Sequence, residues 1–168
     1  MSNLTFSICP ICGTALTARQ IEERPRLACP ACGWIRYENP LPCAAALVRN
    51  PAGEVLLVKR GVEPGYGNWA LPSGFIEIEE SPKMACLREL KEETGLDGRI
   101  LRLIGVYSQE SAVYKSVIII GYEVDVFGEI QAGSDSLAAE FFPPQNLPEI
   151  VFITHRQMVA DGLKLGKA

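Results

Sequence analysis

Two sets of residues in this chain have types and spacings that could do chemistry. The first is acidic: Glu80, Glu89, Glu92 and Glu93, with Arg88 among them. Carboxylate oxygens are hard ligands, and a few of them together with phosphate oxygens suit Mg²⁺ or Mn²⁺. The second is a repeat, Cys9-Pro10-Ile11-Cys12-Gly13 and Cys29-Pro30-Ala31-Cys32-Gly33, with sixteen residues between Cys12 and Cys29. Four thiolates at this spacing favour tetrahedral Zn²⁺ with no position left open, which makes the site structural rather than catalytic. Iron and a pair of disulfides are the competing readings; disulfides conflict with a reducing compartment.

The acids need an element to hold them. Ser81 as N-cap and Pro82 in the first helical position open a helix, and Gly95 stops it. Met84, Ala85, Leu87 and Leu90 give that helix an apolar stripe. Glu89, Glu92 and Glu93 then crowd its last turn and a half, where a helix already carries partial negative charge. Glu89 and Glu93 are also like charges at i,i+4, which costs an isolated helix about 0.2–0.5 kcal/mol. Arg88 offsets part of this, and a divalent cation would offset the rest. A solvated acidic face is the plain alternative.

Around the helix the pattern is mostly strand. Residues 43–49 and 54–60 read as two strands joined by the turn Asn50-Pro51-Ala52-Gly53. Residues 99–107 read as a third. Residues 115–127 form a long strand, apolar through its first half as a central strand would be. Gly61 to Gly74 reads as a loop, and Phe141-Phe142 as a short strand ended by Pro143-Pro144. Thr154 to Gln157 matches a capping box opening a helix to about Lys164. That puts His155, the single histidine, at a helix start on the surface. Cys43 and Cys86 sit among apolar residues and read as small buried hydrophobes.

Composition narrows the class. Hydrophobic residues make up 48% of the 168, enough for a core, and the net charge is −4. No run of eighteen apolar residues and no basic-then-apolar leader is visible, so the expected setting is the cytoplasm, with no membrane partner. Arg19, Arg24, Arg26 and Arg36 are interrupted by Glu22, Glu23 and Glu38, which argues against a nucleic-acid partner. The expected organisation is a zinc-binding unit at 1–38 and a larger unit at 39–168, the segment 34–42 being an extended connector.

Gly74, five residues, Glu80, seven residues, Arg88-Glu89-Leu90, one residue, Glu92-Glu93, one residue, Gly95-Leu96 resembles the full signature of the Nudix hydrolases. Trp69-Ala70-Leu71-Pro72-Ser73-Gly74 resembles the segment that leads into it. The resemblance covers about residues 42–164 and implies an α+β fold, an α/β/α sandwich around a mixed sheet. It also implies the activity: hydrolysis of a nucleoside diphosphate linked to another moiety, with Mg²⁺ or Mn²⁺. Carried over, Glu92 and Glu93 are metal ligands, and Glu89 is a ligand or the water-activating base. Arg88 holds its neighbours in place, Glu80 approaches the cluster, and the Ser73 carbonyl is a further ligand. An acid from a later loop completes such sites; Asp135 and Glu140 compete for that role.

With the cysteine repeat, the chain is similar to the zinc-ribbon Nudix hydrolases, which include NADH pyrophosphatases and a group acting on FAD and ADP-ribose. The array that follows the signature in the NADH group survives here only in Ser108-Gln109, so FAD or ADP-ribose is the expected substrate, releasing AMP. NADH, or a capped RNA end, is the alternative. Arg60, Tyr66, Trp69, Tyr107 and Tyr114 are candidate substrate contacts, Trp69 doubling as core packing. A homodimer is left open. A non-enzymatic reading makes the ribbon a nucleic-acid or protein-binding module, with the Nudix domain regulating it.

Overall fold

The structure, a computed structural model, describes residues 7–133 and 135–165. The chain separates into two compact units, Met1–Asn39 and Pro40–Ala168. In the first unit, β1 (Thr17–Ile21) and β2 (Arg24–Ala28) form an antiparallel hairpin, and β3 (Ile35–Arg36) pairs with β2. Glu22 and Glu23 turn the hairpin with φ of 49° and 62°, the handedness a tight two-residue turn requires. The two cysteine loops are built alike. Gly13 donates its N–H to the Cys9 carbonyl and Gly33 to the Cys29 carbonyl, and both glycines are left-handed. Cys9, Leu16 and Cys29, flanked by Leu27 and Trp34, form a small core in this unit.

The second unit carries two sheets. One has the order β7 (Ser73–Phe75), β4 (Leu41–Val48), β9 (Lys115–Phe127), β8 (Asp97–Ser111). β4 runs parallel to β9, and the other pairings in that sheet are antiparallel, so the sheet is mixed. The other sheet places β5 (Val55–Arg60) between β10 (Ser136–Phe142) and β6 (Trp69–Ala70). Strand alternation divides the core into two. Ala44, Ala46 and Val48 point to one side with Leu56, and there they meet Ala85, Cys86 and Leu90 of helix α1 (Pro82–Thr94). Ala45 and Leu47 point to the other with Val55 and Leu57, and meet Met158 and Val159 of helix α2 (Ile153–Leu165). The helices therefore cover opposite faces of β4, the α/β/α arrangement the signature implied. Among the described residues, no helix is long and apolar enough to cross a membrane.

Several local expectations change. Met84 is exposed, and Cys86 takes the buried place on α1, because the inward face is centred on Ala85, Cys86 and Leu90. The 61–74 segment contains β6 and β7, and the strand at Phe141 starts at Ser136. The capping box at Thr154 does not form. Helix α2 starts at Ile153, two residues before that box would place it, on bonds from the His155 and Arg156 N–H groups to the Phe152 carbonyl. Thr154 is buried and donates its hydroxyl to Gln109 Oε1 at 2.8 Å. His155 is not on the surface: it is 2% exposed.

Candidate active site

Helix α1 is capped as its sequence requires. Ser81 Oγ accepts the Met84 N–H at 3.3 Å, and Gly95, at φ 74°, returns its N–H to the Lys91 carbonyl. The rest of its C-terminus is satisfied from the segment between β9 and β10. Gln131 N–H donates to the Thr94 carbonyl at 2.8 Å and Gly133 N–H to the Glu93 carbonyl at 3.1 Å. Gly133 carries no side chain because a Cβ there would overlap the Glu92 carbonyl. This close passage brings Asp135 to the site.

Arg88 organises the acids. Its Nε and Nη2 donate to the two oxygens of Glu80 at 3.1 and 2.7 Å. Nη1 donates to Glu89 at 2.6 Å and to Glu92 at 3.0 Å, and Nη2 reaches the Phe75 carbonyl at 2.9 Å. All five N–H groups of the guanidinium are thus engaged. The Glu80 carboxyl is held below its usual range by these Arg88 bonds. Gly74, across from the helix, admits the Glu89 carboxylate, which a Cβ at that position would overlap.

The acids do not all face one way. Glu93 is buried, its Oε2 accepting the Ser73 N–H at 3.0 Å. Burial pushes its carboxyl up to about 8, with Glu89 and Asp135 adding to the rise and the Ser73 bond and Arg60 opposing it. Burial raises Glu89 as well, against the pull of Arg88. Glu92 points outward, its side chain 58% exposed.

Glu89, Glu93, Ser73 and Asp135 line one cavity of about 380 Å³, and Arg60 and Tyr114 line it too. Tyr114 packs edge-on against Phe75 at 5.0 Å, and Arg60 lies 5.1 Å from the Phe152 ring. Arg60 ends β5 opposite Ser136, so strand pairing sets it beside Asp135. Glu140 is exposed on β10 and does not line the cavity. Neither do Tyr66, Trp69 and Tyr107. Trp69 packs on Phe142 at 4.8 Å in the core, Tyr107 donates its hydroxyl to Asp161 at 3.1 Å, and Tyr66 is exposed. Sequence reasoning missed Gln109, Phe152 and His155, which line the cavity. Gln109, in the Ser108-Gln109 remnant, arrives on β8, and no local pattern announces Phe152 or His155 at the start of α2.

In the first unit the four sulfurs lie within 4.8 Å of one another, the Cys9–Cys32 and Cys12–Cys29 separations being 3.5 Å, and none is in a disulfide. Ligands of a tetrahedral zinc with bonds of about 2.3 Å sit about 3.8 Å apart, so the cluster fits a closed structural zinc site. Hydrogen bonding to Thr14 draws the Cys12 thiol down to about 6.

A mixed sheet between two helices, with the signature glutamates on the helix that faces the cavity, is the arrangement of a Nudix hydrolase. The model of the NUDIX domain matches residues 39–162, and that of the Nudix N-terminal ribbon matches residues 8–38. The chain is 42% identical over 130 residues to an ADP-ribose pyrophosphatase of Methanocaldococcus jannaschii, covering 76% of each. It is 32% identical over 152 residues to the NAD-capped RNA hydrolase NudC of Haemophilus influenzae, covering 87% of this chain and 55% of that one. The chain thus spans about half the length of that relative. The crystal structure of a NUDIX hydrolase from Nitrosomonas europaea superposes with a TM-score of 0.76 at 28% identity, over 91% of this chain and 88% of that one. The chain belongs to the Nudix family, as a pyrophosphohydrolase acting on a nucleoside diphosphate linked to another moiety, with an N-terminal zinc-ribbon motif.

Proposed function

We propose that this cavity hydrolyses the diphosphate of ADP-ribose, with FAD as the second substrate, releasing AMP. The observation that carries the reading is the company Glu93 keeps: a buried carboxylate aimed at the same space as Glu89, Asp135 and the Ser73 backbone. Burial has driven its carboxyl up, which a divalent cation would reverse. The donor set is all oxygen and suits Mg²⁺ or Mn²⁺, with Glu93, Glu89, Asp135 and the Ser73 carbonyl as ligands and Glu92 at the outer edge. When bound, the ion neutralises the diphosphate and activates the attacking water.

The chain's own residues do the rest. Arg88 fixes the direction of Glu80, Glu89 and Glu92, so the acids meet the substrate already oriented. Ser73 N–H holds Glu93 in one rotamer. Arg60 meets the negative substrate in a cavity otherwise rich in acids, and the Phe75–Tyr114 pair offers an aromatic edge to a base or sugar. The preference for ADP-ribose draws on the 42% identical relative.

A panel of ADP-ribose, FAD, NADH and nucleotide sugars, with Mg²⁺ or Mn²⁺ and products resolved by chromatography, tests this. ADP-ribose or FAD should have the higher kcat/KM, and NADH the lower. In ¹⁸O water the label should appear on a phosphate product; label on the ribose carbon would overturn the chemistry. A second reading, hydrolysis of an RNA end capped by a dinucleotide, draws on the NudC match, which takes in 87% of this chain. Turnover of 5′-NAD RNA above that of free ADP-ribose would favour it.

A further inference from the structure

His155 lies in the first turn of α2 and lines the cavity, yet no part of the signature leads to it. Its Nδ1 accepts the backbone N–H of Leu71 at 3.1 Å. A backbone N–H can only donate, so Nδ1 carries no proton and the ring's proton sits on Nε2. Nε2 has no hydrogen-bond partner among the described residues. It is also not sealed: the described side-chain polar atoms that are both enclosed and unpaired are Arg26 Nε and Ser136 Oγ. The residue is 98% buried and lines the cavity, and with Nδ1 taken and no partner for Nε2 among the described residues, the cavity is where Nε2 can find one.

The ring is also held still. Phe152 packs edge-on against it at 5.1 Å and 74°, and the same Phe152 carries the Arg60 guanidinium at 5.1 Å on its face. Burial, reinforced by the Arg60 charge, pushes the imidazole down to about 3, so the ring is a neutral donor at working pH. The remaining ionisable lining includes Glu63, Glu77, Glu89, Glu93 and Asp135. A diphosphate entering such a cavity needs N–H donors for the oxygens that carboxylates repel, and Arg60 and His155 supply them from one cluster.

We infer that His155 Nε2–H is a hydrogen-bond donor to a phosphoryl oxygen of the bound diphosphate, with Arg60 beside it. This rests on the pyrophosphohydrolase reading of the cavity. It also assigns His155 two tasks. Nδ1 pins the Leu71–Ser73 segment that holds Glu93, and Nε2 binds substrate.

Because the chain has one histidine, its imidazole gives a single set of ¹⁵N signals. They should report the Nε2–H tautomer. Saturation with imidodiphosphate and Mg²⁺, verified by calorimetry, should move the Nε2–H proton downfield. A proton on Nδ1, an unmoved signal at saturation, or no saturable binding overturns the inference. Two substitutions divide the tasks. His155→Asn keeps an acceptor near the Nδ1 position and loses the donor; kcat/KM should fall about tenfold to a hundredfold. His155→Gln keeps a donor near the Nε2 position; it should recover much of that loss while melting at a lower temperature than His155→Asn. A His155→Asn variant within twofold of wild type, or a His155→Gln variant no better than it, overturns the inference and leaves the hydrolase reading standing. If wild type turns over no diphosphate yet the signal moves, the hydrolase reading fails and the anion site remains.

Discussion

The cysteine cluster and the glutamate cluster are built on opposite plans. The four cysteines close on one point, every sulfur within 4.8 Å of the others. The glutamates do not: Glu92 faces outward, Glu93 is tied to Ser73, and Arg88 stands between Glu80, Glu89 and Glu92. The cysteine loops are local, so each pair of ligands is set by five residues, the last a left-handed glycine. Glu89, Glu92 and Glu93 come from one rigid helix, on which i,i+4 places Glu89 and Glu93 together but turns Glu92 away. Closure suits an ion that holds a fold together. An open set with one face toward a cavity suits an ion that must share its ligands with a substrate.

The largest expected effect breaks the closed cluster. Cys29→Ser should unfold the ribbon outright, since zinc supplies about 10–16 kcal/mol to small sites of this kind. Limited proteolysis should then cut within residues 7–39 while the Nudix unit keeps most of its kcat. Loss of hydrolysis in step with the ribbon would mean the two units do not fold independently. Next comes the open cluster. Glu93→Gln should lower kcat by more than about a hundredfold, beyond what loss of a supporting contact does. Its stability should not fall, because a buried carboxylate is replaced by a neutral amide. Equal losses of activity and stability would contradict this.

Acidity sharpens the comparison, because Glu93 and His155 of the Nudix unit are both buried and are shifted in opposite directions. Without added Mg²⁺ or Mn²⁺, Glu93 has a folded value of about 8 against 4.5 unfolded, so the stability it contributes is complete below 4.5 and is lost as pH rises to 8. His155 runs the other way: from 6.5 unfolded to about 3 folded, its contribution is complete above 6.5 and is lost as pH falls to 3. Each limb has a slope of about 1.4 kcal/mol per pH unit. Urea unfolding should therefore show stability rising from pH 8 to 6.5, nearly level to 4.5, and falling below. Glu93→Gln should flatten the upper limb and His155→Asn the lower. The smallest effect separates the two late acids. Asp135→Asn should lower kcat/KM about tenfold. Glu140→Gln, exposed and off the cavity, should leave it unchanged within twofold; the reverse pattern would move the site.

The ends of the signature helix were legible because what sets them is local, whereas its buried face was not, Cys86 rather than Met84 being inside. Ser81, Pro82 and Gly95 act on their own backbone neighbours, and the cysteine loops repeat the same short-range geometry. The strands at 43–49, 54–60 and 115–127 were legible too, since burial of a central strand on both faces leaves an apolar run. Segments 61–74 and 136–140 were not. β6, β7 and β10 are strands because β4 and β5 offer them edges, not because their residues insist on it.

The site divides along the same line. Residue types and spacing alone determined the family, the thiolate cluster and the glutamates. Only the tertiary structure decided which acid faces the cavity, that Asp135 rather than Glu140 joins it, and that Trp69 and Tyr107 belong to the core. It also moved His155 from an expected surface helix start to a cavity wall, because its partner, the Leu71 N–H, lies 84 residues away in the chain. Spacing reports contacts within a turn or a hairpin; contacts made by packing one element on another leave no periodic trace.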